Sequence, residues 1–167
     1  MSILSKILTI GALLIVSACT NSTGFGGSGS GGSDVAGVAG SPSDPTSVAY
    51  FQQTIGDRIV FVVDQSSLTD AARVVLTAQA DWLLSNTDYS AIIEGHADEQ
   101  GTREYNLGLG EKRANAAREF LVTRGVAGNR LKVVSYGKER PIEICSDETC
   151  YAKNRRAVTV LSSGLTG

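Results

Sequence analysis

Ala91-Ile92-Ile93-Glu94-Gly95-His96, then Ala97-Asp98-Glu99-Gln100-Gly101, then Thr102: the fold turns on this stretch. Residues 91–96 are apolar and β-branched enough to form a strand, and the polar residues that follow close on a glycine, as loops do. Thr102 stands where a hydroxyl can cap a helix, and that helix ends near Gly125, a residue suited to the left-handed turn that stops helices. A strand, a short polar loop and a long helix in succession make half of an α/β layer pair. Residues with chemical roles collect in such loops.

The same alternation continues outward. Residues 58–63 form a near-continuous apolar run that reads as a buried strand. A helix follows, with Leu68, Ala72, Val75, Leu76, Gln79, Trp82 and Leu83 on one face and Ser67 and Asp70 placed as a variant capping box. Trp82 on that face reads as core. Downstream, residues 131–136 and 157–161 supply two more strands, separated by a long loop that carries Pro141, Cys145 and Cys150. The order is β-α-β-α-β-β, an α/β fold of the α+β type in which a sheet packs on helices.

The chain's 167 residues allow one ordinary domain with appendages. Fifteen basic against seventeen acidic residues give a net charge of −2 with no basic stripe, so a nucleic-acid partner is not expected. Lys6, the apolar run of residues 7–16 and the small pair Ser17-Ala18 read as an export signal, residues 1–18. Val16-Ser17-Ala18-Cys19 resembles the lipobox of bacterial lipoproteins. That resemblance implies acyl chains on Cys19, a durable anchor at about 0.8 kcal/mol per buried methylene. It also points to the outer membrane, since Thr20 is not the aspartate that retains many lipoproteins in the inner one. Residues 19–46 are rich in glycine and serine and read as a flexible tether able to stretch to about 90 Å. The folded domain is expected over residues 47–163.

With Cys19 acylated, two cysteines remain. Cys145 and Cys150 read as a disulfide in an oxidising compartment, worth about 2 kcal/mol for so short a loop. A half metal site or two free thiols are the alternatives. With one histidine in the chain, a zinc site is poorly supplied with ligands.

Two oddities mark the second helix. Leu109, Arg113, Ala116, Ala117, Phe120 and Leu121 share a face, so Arg113 sits in or beside the apolar stripe and calls for an anion, unless its stem snorkels to water. Gly108 and Gly110 each cost roughly 1 kcal/mol against alanine inside a helix and suggest the close approach of another backbone or a ligand. In the preceding loop, His96, Asp98 and Glu99 are too few for a metal, and no nearby serine or cysteine nucleophile completes a hydrolase.

Glu94-Gly95-His96-Ala97-Asp98-Glu99-Gln100-Gly101-Thr102, Tyr105-Asn106 and Leu109-Gly110-Glu111-Lys112-Arg113-Ala114-Asn115-Ala116 closely resemble the OmpA-like peptidoglycan-binding domain. Ser135-Tyr136-Gly137-Lys138-Glu139 and Tyr151-Ala152-Lys153-Asn154-Arg155-Arg156-Ala157-Val158 continue the match, which spans residues 59–161 and looks most like the peptidoglycan-associated lipoprotein subtype. The resemblance implies a mixed four-stranded sheet with helices on one face, no catalytic activity and no cofactor. It also implies recognition of meso-diaminopimelate in the stem peptide, with Asp98 pairing the ligand's ammonium and the Arg113 fork its carboxylate. Asp64, Asn106 and Leu109 fall on further contact positions of the family. Where the family usually has an aromatic before Asp64 this chain has Val63, and where it has serine after Leu109 this chain has Gly110. As a partner besides the wall, the subtype implies the TolB β-propeller. The alternatives are a wall-binding lipoprotein that does not bind TolB and, from another class, a wall hydrolase.

Overall fold

The computed structural model describes residues 40–144 and 146–163. The export signal, Cys19, the tether up to residue 39 and Cys145 lie outside the described residues. Four strands, β1 (Arg58–Val60), β2 (Tyr89–His96), β3 (Leu131–Gly137) and β4 (Arg156–Ser163), form one sheet in the order β1-β4-β2-β3. β4 runs antiparallel to both neighbours while β2 and β3 are parallel, so the sheet is mixed, as the family resemblance implies.

The helices follow from capping and burial. A short helix α1 (Val48–Tyr50) is capped by Ser47 and continues as a π-helical turn, Phe51–Gly56. The sequence reading has no helix here. Its anchor is Phe51, fully buried with its ring 5.0 Å from that of Trp82. Trp82 in turn donates its indole N–H to Pro45 O at 2.7 Å, so residues 45–47, read partly as tether, already pack on the domain. α2 (Asp70–Ser85) is capped by Thr69, whose hydroxyl accepts from Ala72 N at 3.1 Å, and not by the Ser67/Asp70 box. The expected face is otherwise the buried one. Even Gln79 is there by design of its partners, donating to Gly56 O and accepting from Thr159 Oγ1.

α3 (Arg103–Thr123) is capped by Thr102, as expected, and ends in a Schellman turn: Gly125, at φ +103°, donates to Val122 O, and Val126 donates to Leu121 O. The helix lies across β2 and β3 on the same face as α2. Gly95 of β2 and Gly110 of α3 make that crossing possible, because a Cβ on Gly95 would stand 1.8 Å from Gly110 O. Gly110 is thus a backbone-approach glycine. A Cβ on Gly108 would meet nothing within 4 Å.

Two further elements depart from the sequence reading. Residues 58–63 are not buried throughout. Ile59 and Phe61 are buried while Val60, Val62 and Val63 are exposed, because β1 is an edge strand covered by helices on one face only and ends at Val60, halfway along the run. The long loop between the last two strands contains a seven-residue helix, α4 (Glu148–Asn154), capped by Asp147 and too short to show a period in sequence. Cys150 in α4 is disulfide-bonded.

Candidate functional site

Three pieces of chain meet at one end of the sheet: the β1–α2 connection, the β2–α3 loop and the first turns of α3. Strand pairing prepares the meeting. The β2–β3 register slips between Gly95 and His96, which bends the strand end, and Ala97 N donates to Gly137 O at 2.8 Å to hold the new course. Asp98 follows, nearly buried, with Oδ1 accepting from Gln100 N at 3.2 Å and Oδ2 from Arg155 Nη1 at 3.0 Å.

Asp64 comes from the opposite side. It is the one non-glycine residue with positive φ among those described, at +56°, a conformation that costs a non-glycine residue of order 1 kcal/mol and persists only where surroundings impose it. Its carboxylate accepts a hydrogen bond from the Tyr105 hydroxyl. Asn106, in the first turns of α3, donates Nδ2 to Gln100 O at 2.8 Å, while its buried Oδ1 has no hydrogen-bond partner among the described residues. These side chains, with Val63, Gln100, Gly101, Tyr105 and half-buried Leu109, line a cleft of about 370 Å³. Four of the five binding residues singled out in the sequence therefore share one wall-to-wall space, formed by segments far apart in the chain.

Arg113 is placed differently. It is fully buried and does not line the cleft. Nε donates to Gln65 O at 2.8 Å, Nη1 to His96 O at 2.9 Å and Nη2 to Val62 O at 3.2 Å, and the guanidinium carbon lies 5.3 Å from the centre of the Phe61 ring. The anion expected beside it is replaced by three backbone carbonyls. Burial lowers its pKa to about 10, against the favourable charges of Asp98 and Asp64, so it stays cationic at neutral pH. Its geometric effect is to tie the connection that carries Asp64 to the strand end that carries Asp98.

The sequence reading gave no role to Arg155 or Glu148. Arg155, buried at the C-cap of α4 just before β4, donates to Asp98 from one side, to Phe61 O at 3.3 Å, and to both carboxylate oxygens of Glu148. Those hydrogen bonds draw the Glu148 carboxyl below its ordinary range. A doubled arginine before an apolar strand was the available signal, but only the fold shows which carboxylates it meets.

His96 is buried with neither ring nitrogen hydrogen-bonded among the described residues, its ring 5.6 Å from that of Tyr136. Burial, then the charges of Arg156 and Arg140, lower its pKa to about 4, which makes it a neutral packing residue. No group of three or more His, Cys, Asp or Glu side chains among the described residues is arranged to hold a metal.

Residues 60–155, which contain every residue of this site, match the OmpA family. The chain belongs to the OmpA family. Within it, the chain is 56% identical over 118 residues to the peptidoglycan-associated lipoprotein of Mesorhizobium japonicum, covering 71% of this chain and 70% of that one. It is 52% identical over 118 residues to the peptidoglycan-associated lipoprotein of Brucella melitensis, with the same coverage. Among solved structures, the peptidoglycan-associated lipoprotein from Burkholderia pseudomallei superposes with a TM-score of 0.65 at 37% identity, over 72% of this chain and 98% of that one. The C-terminal domain of Helicobacter pylori MotB shares the fold at 20% identity and a TM-score of 0.61.

Proposed function

We propose that this chain is an outer-membrane lipoprotein, facing the periplasm, that grips peptidoglycan non-covalently through the cleft between Asp64, Asp98, Asn106 and Leu109. The observation that carries the reading is the composition of that cleft: two carboxylates and a buried amide oxygen with no partner among the described residues converge on one space, with a buried cation behind it. The free end of a meso-diaminopimelate side chain bears an ammonium and a carboxylate. Its ammonium fits Asp98 and Asn106 Oδ1, both of which keep lone pairs unused by the protein. The carboxylate points toward Arg113, whose charge biases the cleft from behind without a direct bond in the unliganded arrangement. A few charge-assisted bonds of roughly 1.5 to 3 kcal/mol each give a reversible grip, and many copies anchored at Cys19 add avidity.

Such a protein catalyses nothing; it ties the outer membrane to the wall. By likeness to the peptidoglycan-associated lipoproteins it works in the Tol–Pal system and also binds TolB, with wall and TolB excluding one another. The test is co-sedimentation of the mature chain with purified sacculi. Binding that is displaced by a free diaminopimelate tripeptide, and separately by TolB, supports the reading. Co-sedimentation unaffected by the tripeptide removes the cleft as the site, and simultaneous capture of both partners removes their exclusion. Release of soluble peptide from the sacculi would instead support the hydrolase alternative.

A further inference from the structure

Asp98, the carboxylate offered to a ligand ammonium, already has a cationic neighbour. Arg155 Nη1 and Asp98 Oδ2 are 3.0 Å apart, and the two side chains are only 5% and 8% exposed. Taken alone, this pair sums to zero charge beside the cleft and would draw a cation weakly. The arginine does not end there. Its Nη1 reaches Glu148 Oε2 at 3.3 Å and its Nη2 reaches Glu148 Oε1, so one guanidinium is shared between a carboxylate at the cleft and a carboxylate outside it.

Glu148 is 69% exposed and lines no part of the cleft. It is nevertheless held in place. Asp147 caps α4 by accepting from Cys150 N at 3.1 Å. At the other end of the helix, Asn154 accepts from Ile142 N and Glu143 N and donates to Glu143 O. Coulomb interaction reaches past contact and weakens with distance and solvent, so an ammonium beside Asp98 still feels Glu148, which offsets part of the repulsion from Arg155.

We propose that Glu148 is a positioning residue for the cleft: by taking up Arg155 from outside, it offsets part of that arginine's charge and leaves Asp98 more attractive to the cationic end of the ligand. The inference rests on the reading of the cleft as a diaminopimelate site. It assigns to the outer end of α4 a control over affinity that no cleft contact would show.

The experiment is calorimetric titration of the mature chain in detergent micelles with a tripeptide ending in meso-diaminopimelate, using wild type, Glu148→Gln and Glu148→Lys. At low ionic strength affinity falls stepwise with the charge removed, about threefold for Gln and about tenfold for Lys. The steps collapse at about 0.5 M salt, because the interaction runs past an exposed carboxylate. A merely structural role would leave the loss unchanged by salt. Equal affinities at low salt, or a loss of the same size at both salts, overturn the proposal. A wild type that binds, an Asp98→Asn variant that does not, and no response to the charge at 148 would sink this inference alone. A wild type that binds no tripeptide sinks the reading of the cleft with it.

Discussion

Replacing Arg113 with alanine separates two roles that a ligand-contact assignment merges. The guanidinium donates to Gln65 O, His96 O and Val62 O from a fully buried position. Each orphaned carbonyl costs about 1 to 3 kcal/mol where water cannot reach it. Residues 62 and 65 lie on the surface and rehydrate in part, while the His96 carbonyl belongs to a buried residue. Adding the lost packing on Phe61 brings the expected destabilisation to about 3–5 kcal/mol. For a domain of about 120 residues the unfolding entropy is roughly 0.25 kcal/mol per kelvin, so Tm falls by about 12–20 °C. Arg113→Lys recovers less than half of this, since one ammonium cannot span three carbonyls in a fixed fork. Differential scanning calorimetry of the whole chain in micelles measures both. If Arg113→Ala melts within about 3 °C of wild type while losing the tripeptide, the guanidinium serves the ligand and not the loop.

The two helix glycines divide the same way. Gly95→Ala or Gly110→Ala forces apart α3 and β2 and costs about 3 kcal/mol, whereas Gly108→Ala gains up to about 1 kcal/mol, because its Cβ enters open space in a helix interior; chemical denaturation of the three variants checks the order. His96 gives a pH dependence. Its folded pKa of about 4 lies below its ordinary 6.5, so its contribution is complete above 6.5 and is lost as pH falls toward 4. The total is about 3 kcal/mol. The wild-type stability curve carries that slope between pH 6.5 and 4 and His96→Gln lacks it; an unchanged slope in the variant would assign the effect elsewhere.

Strand and helix order was legible because the decisive signals were local: Thr102 before a helical period, Gly125 after it, alternating apolar runs on either side. Phe51 and its helix were missed because too few residues flank it to show a period, and α4 for the same reason. The edge position of β1 was invisible, since a run such as Ile59-Val60-Phe61-Val62-Val63 reads as buried whichever strand pairs beside it. At the site, Asp64, Asp98, Asn106 and Leu109 were named from family resemblance, and the fold brings them to one cleft. What spacing could not convey was which charges meet. Arg113 looked like an unpartnered cation because its acceptors are carbonyls of residues 62, 65 and 96, and backbone groups leave no mark in a sequence pattern. Arg155, which touches Asp98 directly, is 57 residues away from it in the chain.

In the proposed function the cleft holds the diaminopimelate side chain by its charged end. The most direct measurement is calorimetric titration of the mature chain with two tripeptides, one ending in meso-diaminopimelate and one with lysine in its place, beside Asp98→Ala. Saturable binding of the first, weaker binding of the second for want of the terminal carboxylate, and loss of both in the folded variant are the predicted results. Equal binding of the two peptides, or undiminished binding by Asp98→Ala, would contradict the account.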